Sequence, residues 1–481
     1  MSGCKSLESL LPKISLESLE VLILSGCSRL KKFPEIVGNM SHLSQLYLDG
    51  TAIKELPLSV EHLTGLIKLD LSGSTIREWS FSTFPSKNIE ILSFSRCEGL
   101  SYKPSNKLIS FPLMRRASPD PLGMLVRSLL DLRSLIDLDL SYCNLRTIPD
   151  DLGCLSFIKG LNLRGNNFVS LPDSTIQLSN LIYLLLGNCT GLRSLPELPS
   201  NINFVQADGC ISLETLPLIP EHSCMPGLSL LNCFKLVDNQ GCGETFFTML
   251  RHYIRFQMQM QCDEEFWSYS VVTLGSEIPK WISHQGVTSV NLQLSSALLN
   301  ERIGFVVCAV FVFSEHHPVD QLPSDIWERS LTCYFKVKGA FTLFKSISKG
   351  ISEEFGKIGS HHLWLDYSSH LFNQSQEILS LIDANGYIQI EISFEPKCPG
   401  MVVNKCGACL VYEQDIIEDH NQTMAGSSNI RITPYEDDFD DSAKDTKIKP
   451  NLDDYDGAGP SGEGSSSDIT TTKEDTTPQY N

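Results

Sequence analysis

The chain lacks any apolar run long enough to span a bilayer. Its longest, Ile303 to Phe313, has eleven residues, against the ~18 that a spanning helix needs. The opening MSGCKSLESLLPK has no apolar core of the kind a secretory signal requires. Basic charge is scarce as well. Lys and Arg number 38 against 57 Asp and Glu, a formal net charge of −19, which argues against a broad basic surface for nucleic acid.

The motifs of catalysis are also missing. Gly350 to Lys357 has one residue too many for a phosphate-binding GxxxxGK[ST] loop and is followed by Ile358. There is no GxSxG nucleophile elbow. His316-His317 and His361-His362 are adjacent pairs, and neighbours on a strand point to opposite faces, so neither pair forms a shared metal site. Cys406 and Cys409 make a lone CxxC without a second pair. The 16 cysteines are spread along the chain rather than set in a short disulfide framework. These exclusions point to a protein without catalytic site, metal or cofactor, with reduced thiols, located in the cytoplasm or nucleus.

What is present is a repeat. The frame Leu19, Leu22, Leu24, Cys27, Leu30 recurs with starts at 43, 66, 89, 135, 158, 181 and 202, spaced by 21 to 24 residues except for one gap of 46. That gap, near residues 98–134, holds a degenerate repeat or an insertion. The pattern LxxLxLxx(N/C)xL with a 20–29-residue period is the leucine-rich repeat, which stacks one short strand per turn. Cys27, Cys97, Cys143, Cys189 and Cys210 take its Asn/Cys position, where a small polar group satisfies the turn. Ser2-Gly3-Cys4 repeats Ser25-Gly26-Cys27. The chain is therefore expected to begin inside a repeat, as part of a larger protein or a truncated gene model.

Side chains between the core leucines face outward on the concave wall. These are Gln45, Tyr47, Asp49, Lys68, Asp70, Asp137, Asp139, Asn162, Arg164, Tyr183, Leu185, Gln206 and Asp208. Their mixed charge suits protein recognition.

After Pro220 the repeat frame is expected to stop. Phe246, Met249, Leu250, Tyr253, Ile254 and Met260 recur at helical spacing and predict a helix packed on its own domain. Val290, Leu292 and Leu294, the two-sided apolar Ile303–Phe313 run, Leu331–Val337, His362–Tyr367, alternating Ile388 to Phe394, and Cys409–Tyr412 predict strands of an antiparallel sandwich. From Glu413 onward, 17 acidic residues face 5 basic ones in an apolar-poor stretch, which predicts a disordered acidic tail. The expected architecture is an α/β leucine-rich-repeat solenoid with a parallel β concave face over 1–220, an all-β antiparallel jelly-roll/Ig-like sandwich over 221–415, and the tail over 416–481.

The closing LxxLP cadence of the repeats resembles that of intracellular plant immune receptors. Asn232-Cys233-Phe234-Lys235-Leu236, Gly275-Ser276-Glu277-Ile278-Pro279-Lys280-Trp281, the strand from Gly304, and Lys405-Cys406-Gly407-Ala408-Cys409-Leu410-Val411-Tyr412 resemble the post-repeat domain of TIR-NB-LRR disease resistance proteins, the C-terminal jelly-roll/Ig-like domain (C-JID). Leu274 stands where that family has proline. The resemblance implies recognition of a pathogen effector or a host guarded protein, and communication with switch modules of the same or a related receptor. The family's NAD-cleaving TIR domain and nucleotide-binding module have no counterpart in these residues. The motif residues Asn232, Cys233, Gly275, Ser276, Glu277, Pro279, Trp281, Cys406, Gly407 and Tyr412 are then scaffolding. In bottom-up terms, Gly275 permits an unusual turn and Trp281 anchors the core. The alternative function is a free-standing adaptor or regulator of full-length receptors.

Overall fold

The computed structural model describes residues 1–76, 78–79, 88–97, 101–102, 129, 132–217, 227–239, 248–254, 268–296, 303–313, 330–340, 345–350, 360–369, 380–397 and 400–412. The acidic tail, His316-His317, and Phe246 and Met260 of the expected helix lie outside them.

Among the described residues, nine three-residue strands form one parallel ladder: β1 (Val21–Ile23), β2 (Gln45–Tyr47), β3 (Lys68–Asp70), β4 (Ile91–Ser93), β5 (Asp137–Asp139), β6 (Gly160–Asn162), β7 (Tyr183–Leu185), β8 (Phe204–Gln206) and β9 (Gly227–Ser229). The middle residue of each strand pairs with the middle residue of the next, giving the column Leu22, Leu46, Leu69, Leu92, Leu138, Leu161, Leu184, Val205, Leu228. From Leu46 on, each member is buried, so one turn covers the core of the next. The connecting segments are short: Leu58–His62, Asp150–Cys154 and Asp173–Gln177 are 3-10 turns entered from Pro57, Pro149 and Pro172. A repeat of 21–24 residues leaves no length for a full α-helix, and the LP cadence supplies the fixed φ at the entry to each of these turns.

β4 and β5 are direct neighbours, although 46 residues separate their starts. No described strand of the gap stands between them in the ladder.

Three residues past the end of each strand the turn carries a residue with positive φ: Gly26, Gly50, Gly73, Arg96, Tyr142, Gly165, Asn188, Gly209 and Asn232, with Gly3 in the same frame ahead of β1. Asn232 corrects the expectation that the frame stops at Pro220. Leu228, Leu230, Cys233 and Leu236 complete one more turn, all buried. Gly227 obscures it in the sequence. A Cβ there would sit 3.3 Å from both Phe204 Cδ2 and the Ser270 carbonyl oxygen, so the close approach of the next strand selects glycine.

The cysteine positions hold the turns together. Cys27, Cys97, Cys143, Cys189, Cys210 and Cys233 each donate Sγ–H to a carbonyl of the preceding turn, at 3.1–3.2 Å. In one turn Asn166 does this work, donating to Leu140 O and Leu163 O while accepting from the Cys143 and Leu145 amides. Burial pushes the Cys189 thiol up to about 12, so it stays a protonated donor. Cys189→Ala should lower stability by about 1–2 kcal/mol, because it removes a buried sulfur and one of the two donors to the Leu163 carbonyl, Asn166 remaining as the other. Urea denaturation of the two chains side by side measures this.

The second half extends the same sheet. β10 (Ser268–Leu274) pairs parallel with β9, Leu228 opposite Val271 and Ser229 opposite Val272, and the Leu230 amide donates to Val272 O at 2.8 Å. Beyond β10 the ladder turns antiparallel. With β11 (His284–Gly286), β12 (Ser289–Ser295), β13 (Ile303–Phe313), β14 (Ser330–Val337), β15 (Lys345–Gly350), β16 (His362–Ser369), β17 (Tyr387–Pro396) and β18 (Met401–Tyr412), the first sheet ends β9-β10-β16-β13-β18-β11. The second sheet has the order β12-β17-β14-β15. Val272, Phe305, Trp364, Phe335 and Ile392 fill the space between the two.

The outer face of the first sheet is covered too. Val306, Cys308, Val310, Leu363 and Leu365 join the solenoid core with Leu250, Tyr253 and Ile254 of helical residues 248–254. Tyr253 lies 5.0 Å from the ring of Tyr269 and 6.2 Å from that of Tyr367. β13 is therefore apolar on both faces because both faces are covered. Cys406 and Cys409 fall on opposite faces of β18, one in each core, and burial pushes them up to about 11 and 12.

Candidate protein-binding face

The concave wall is built by the flanking residues of the parallel strands. One row runs Lys68, Ile91, Asp137, Gly160, Tyr183; the next runs Asp70, Ser93, Asp139, Asn162, Leu185. Together they line a cavity of about 620 Å³. Asp70 and Asp139 each turn one carboxylate oxygen back to accept a backbone amide, from Ser72 at 3.0 Å and Ser141 at 2.8 Å. Asn162 accepts from the Arg164 amide in the same way. Asp137 differs: partial burial raises its carboxyl above the usual range, and Lys159 opposes that shift. Lys68 places its ammonium 4.9 Å over the Tyr47 ring, whose hydroxyl donates to Gln45. Asp49 accepts from the Ser25 hydroxyl. The ring of Tyr183 is half exposed.

Two expected face residues are withdrawn from solvent. Gln206 is 8% and Asp208 2% exposed. Arg164 Nη2 donates to Gln206 Oε1, and Gln206 Nε2 donates to Asp208 Oδ2. Asp208 Oδ1 accepts from Ser229 Oγ and the Leu231 amide. Over this end of the face lies Lys349 of β15, its ammonium 4.9 Å above the Phe204 ring. Burial lowers its pKa, while Asp208 and Asp366 oppose the shift. The repeat alignment could not reveal this cover, because Lys349 belongs to no repeat. Ile91 and Ser93 were legible, since their repeat keeps the frame, but sequence reasoning left them out of the face.

The motif residues of the second half sit away from this cavity. Gly275 has no positive φ, which corrects the expected unusual turn; its amide donates to His361 O, and a Cβ would meet Leu363 Cβ at 3.1 Å. Close packing, not backbone freedom, selects glycine there. Ser276 is exposed, and Glu277 pairs with Lys405 at the surface. Pro279 O accepts from the Ile282 amide, and Trp281 packs against the solenoid-side core. At Gly407 a Cβ would meet Ile282 Cγ2 at 2.7 Å, so the two motifs fit each other across this glycine. Tyr412 closes the β13–β18 register opposite Ile303. Asn232 donates its amide to Nε2 of buried His362, and Cys233 belongs to the thiol series. Among the described residues, no helix is long and apolar enough to cross a membrane.

Comparison with known proteins agrees with this architecture. Residues 15–239 match the family model described as "Disease resistance protein RPS4B-like, leucine-rich repeats", and residues 273–417 match the C-JID domain. Curated relatives include disease resistance-like protein DSC1 of Arabidopsis thaliana, 28% identical over 89% of this chain and 33% of its own length. TMV resistance protein N of Nicotiana glutinosa is 31% identical over 64% of this chain and 30% of its own length. Disease resistance protein RPS4B of Arabidopsis thaliana is 29% identical over 90% and 36%. The chain spans about a third of the length of these relatives. With its leucine-rich-repeat solenoid running by its parallel sheet into a C-JID sandwich, the chain carries leucine-rich repeats of the disease-resistance type and a C-JID domain, and is similar over these two domains to plant disease resistance proteins.

Proposed function

We propose that this chain is the effector-recognition and autoregulatory module of a plant immune receptor, acting by protein–protein binding in defence signalling in the cytoplasm or nucleus. The observation that supports the reading most is the open concave cavity between Lys68 and Leu185, on the same sheet that continues through β9 into the sandwich. A partner seated on the face touches β3 to β7 of a continuous sheet whose last solenoid strand, β9, pairs with β10 of the sandwich, and this is the route by which binding would be felt in the second domain. The partner is a pathogen effector or a host protein under guard.

A binding panel tests this. The full chain is measured by interferometry against recombinant pathogen-secreted proteins and host immune targets. A true partner should bind the wild type and lose about tenfold or more in affinity when Asp137 and Asp139 are both changed to Lys, since reversal places like charge against it. A panel in which every bound protein tolerates both that reversal and Tyr183→Ala overturns the face as the recognition surface.

A further inference from the structure

We propose that β12 is the pairing edge of a symmetric dimer, in which a second copy of this chain adds its own β12 antiparallel and joins the two second sheets into one.

Among the described residues β12 is paired on one side only, by β17. Bonds just beyond its two ends show which backbone groups that pairing uses. The Phe394 amide donates to Thr288 O and the Ser296 amide to Gly386 O, both in the β12–β17 register. Backbone groups alternate in direction along an antiparallel strand, so Val290, Leu292 and Leu294 turn theirs to β17. The amides and carbonyls of Asn291 and Gln293 point the other way, into the open edge, and both residues are exposed. Free edges are ordinarily blunted by lysine, proline or short length. The other edge of this sheet, β15, carries Lys345 and Lys349, and β11 at the edge of the first sheet has three residues. β12 has seven, with no charge and no proline.

The occupant follows from the order of those residues. Ser289-Val290-Asn291-Leu292-Gln293-Leu294-Ser295 reads nearly alike in both directions about Leu292. A two-fold axis at Leu292 sets Ser289 opposite Ser295, Val290 opposite Leu294 and Asn291 opposite Gln293 of the second copy, the self-complementary contact that such symmetry requires. In this register the outward groups of Asn291 meet those of Gln293, so each pair can exchange both N–H···O bonds. A slip of one residue would set the polar row against the apolar one. Val290, Leu292 and Leu294 are buried under the sheet in each copy, so the apolar row runs on across the axis. The ends of the edge match as well. Val287, 65% exposed, precedes β12, and Tyr387, 40% exposed, lies opposite Ser295 at its far end. Antiparallel pairing brings Val287 of one copy to the Tyr387 end of the other.

Sedimentation equilibrium of the full chain tests this. Pairing of one strand makes a small interface, so the wild type should move from 53.6 kDa toward twice that mass between about 1 and about 200 µM. N291K/Q293K should weaken association about tenfold or more, because each lysine then faces a lysine of the second copy. N291K/Q293E should restore it, because each lysine then faces a glutamate. Asn291→Pro removes an outward N–H that β17 does not use, so it should weaken association by a separate route. Urea midpoints close to that of the wild type check that the exposed substitutions leave the fold intact. A wild type that stays monomeric at about 200 µM overturns the inference, whatever other strand the edge accepts. So does a dimer indifferent to both N291K/Q293K and Asn291→Pro, or an N291K/Q293E chain that associates no better than N291K/Q293K.

Discussion

Asp208→Ala is expected to cost about 3–5 kcal/mol and to loosen the seam where the solenoid joins the sandwich. Asp208 is buried and its carboxylate accepts three hydrogen bonds, from Gln206 Nε2 at 2.7 Å, Ser229 Oγ at 2.8 Å and the Leu231 amide at 2.9 Å. Burial pushes its pKa up; those three donors and the Lys349 ammonium pull it back. Removing the carboxylate strands a buried backbone amide and two side-chain donors, and leaves Asp366 as the one carboxylate offsetting the burial of the Lys349 ammonium. Leaving several buried donors without their acceptor costs several kcal/mol because those groups stay desolvated. Asp208→Asn keeps the shape and one acceptor oxygen, but sets its own amide among donors, so its cost should be smaller, about 1–3 kcal/mol. Urea titration gives the two losses. Hydrogen exchange locates them: the amides of Leu230 and Leu231, beside the β9–β10 pairing, should exchange faster while those of β2 and β3 keep wild-type protection. Uniform loss along the whole ladder, or none at the seam, would refute the assignment of Asp208 as its anchor.

That anchor was half legible. Asp208 occupies a concave position in the repeat frame, and from sequence it belongs with Asp49, Asp70 and Asp139 as a surface acid. Only the chain's return through β15, some 140 residues later, makes it an interior group. Periodicity reports local stacking, so it recovered the leucine column, the cysteine turns and the open part of the face. It could not report pairs made across domains: Lys349 over Phe204, Asn232 on His362, or the last turn hidden by Gly227. The two-sided apolar run of β13 did announce burial on both faces, though not that its second cover is the core shared with the solenoid and residues 248–254. Gly275 shows the opposite failure. Glycine in a motif invites an argument from backbone freedom, while Leu363 packed at 3.1 Å from its missing Cβ is the actual constraint. Cys406 and Cys409 resolve by the same geometry, since three places along a strand put two thiols in two different cores.

His362 should make the fold acid-sensitive by about 3 kcal/mol. Its ring is fully buried at the start of β16, tilted against Phe311 at 5.8 Å, and its Nε2 accepts the Asn232 amide at 3.2 Å. An acceptor nitrogen must be unprotonated, so the imidazole is neutral. Burial lowers its pKa to about 4; the nearby Ser360 backbone opposes the shift, and the neighbouring His361 adds to it. The unfolded chain takes up the proton near 6.5. The folded value is the lower one, so the unfolded state binds more protons between the two, and stability falls as pH drops. The contribution is fully present above about pH 6.5, declines through the interval, and is gone near pH 4. At about 1.4 kcal/mol per unit, a gap of about 2.5 units gives the stated loss. The Asn232 amide that loses its acceptor belongs to the last solenoid turn, so acid should separate the two domains at this contact first. His362→Gln supplies the control: its carbonyl can take the Asn232 hydrogen bond, and it does not titrate. The wild type should lose about 3 kcal/mol more than H362Q between pH 7 and pH 4 in urea titrations, with the difference confined to the interval below 6.5. Parallel curves for the two chains would show that the acid response arises elsewhere.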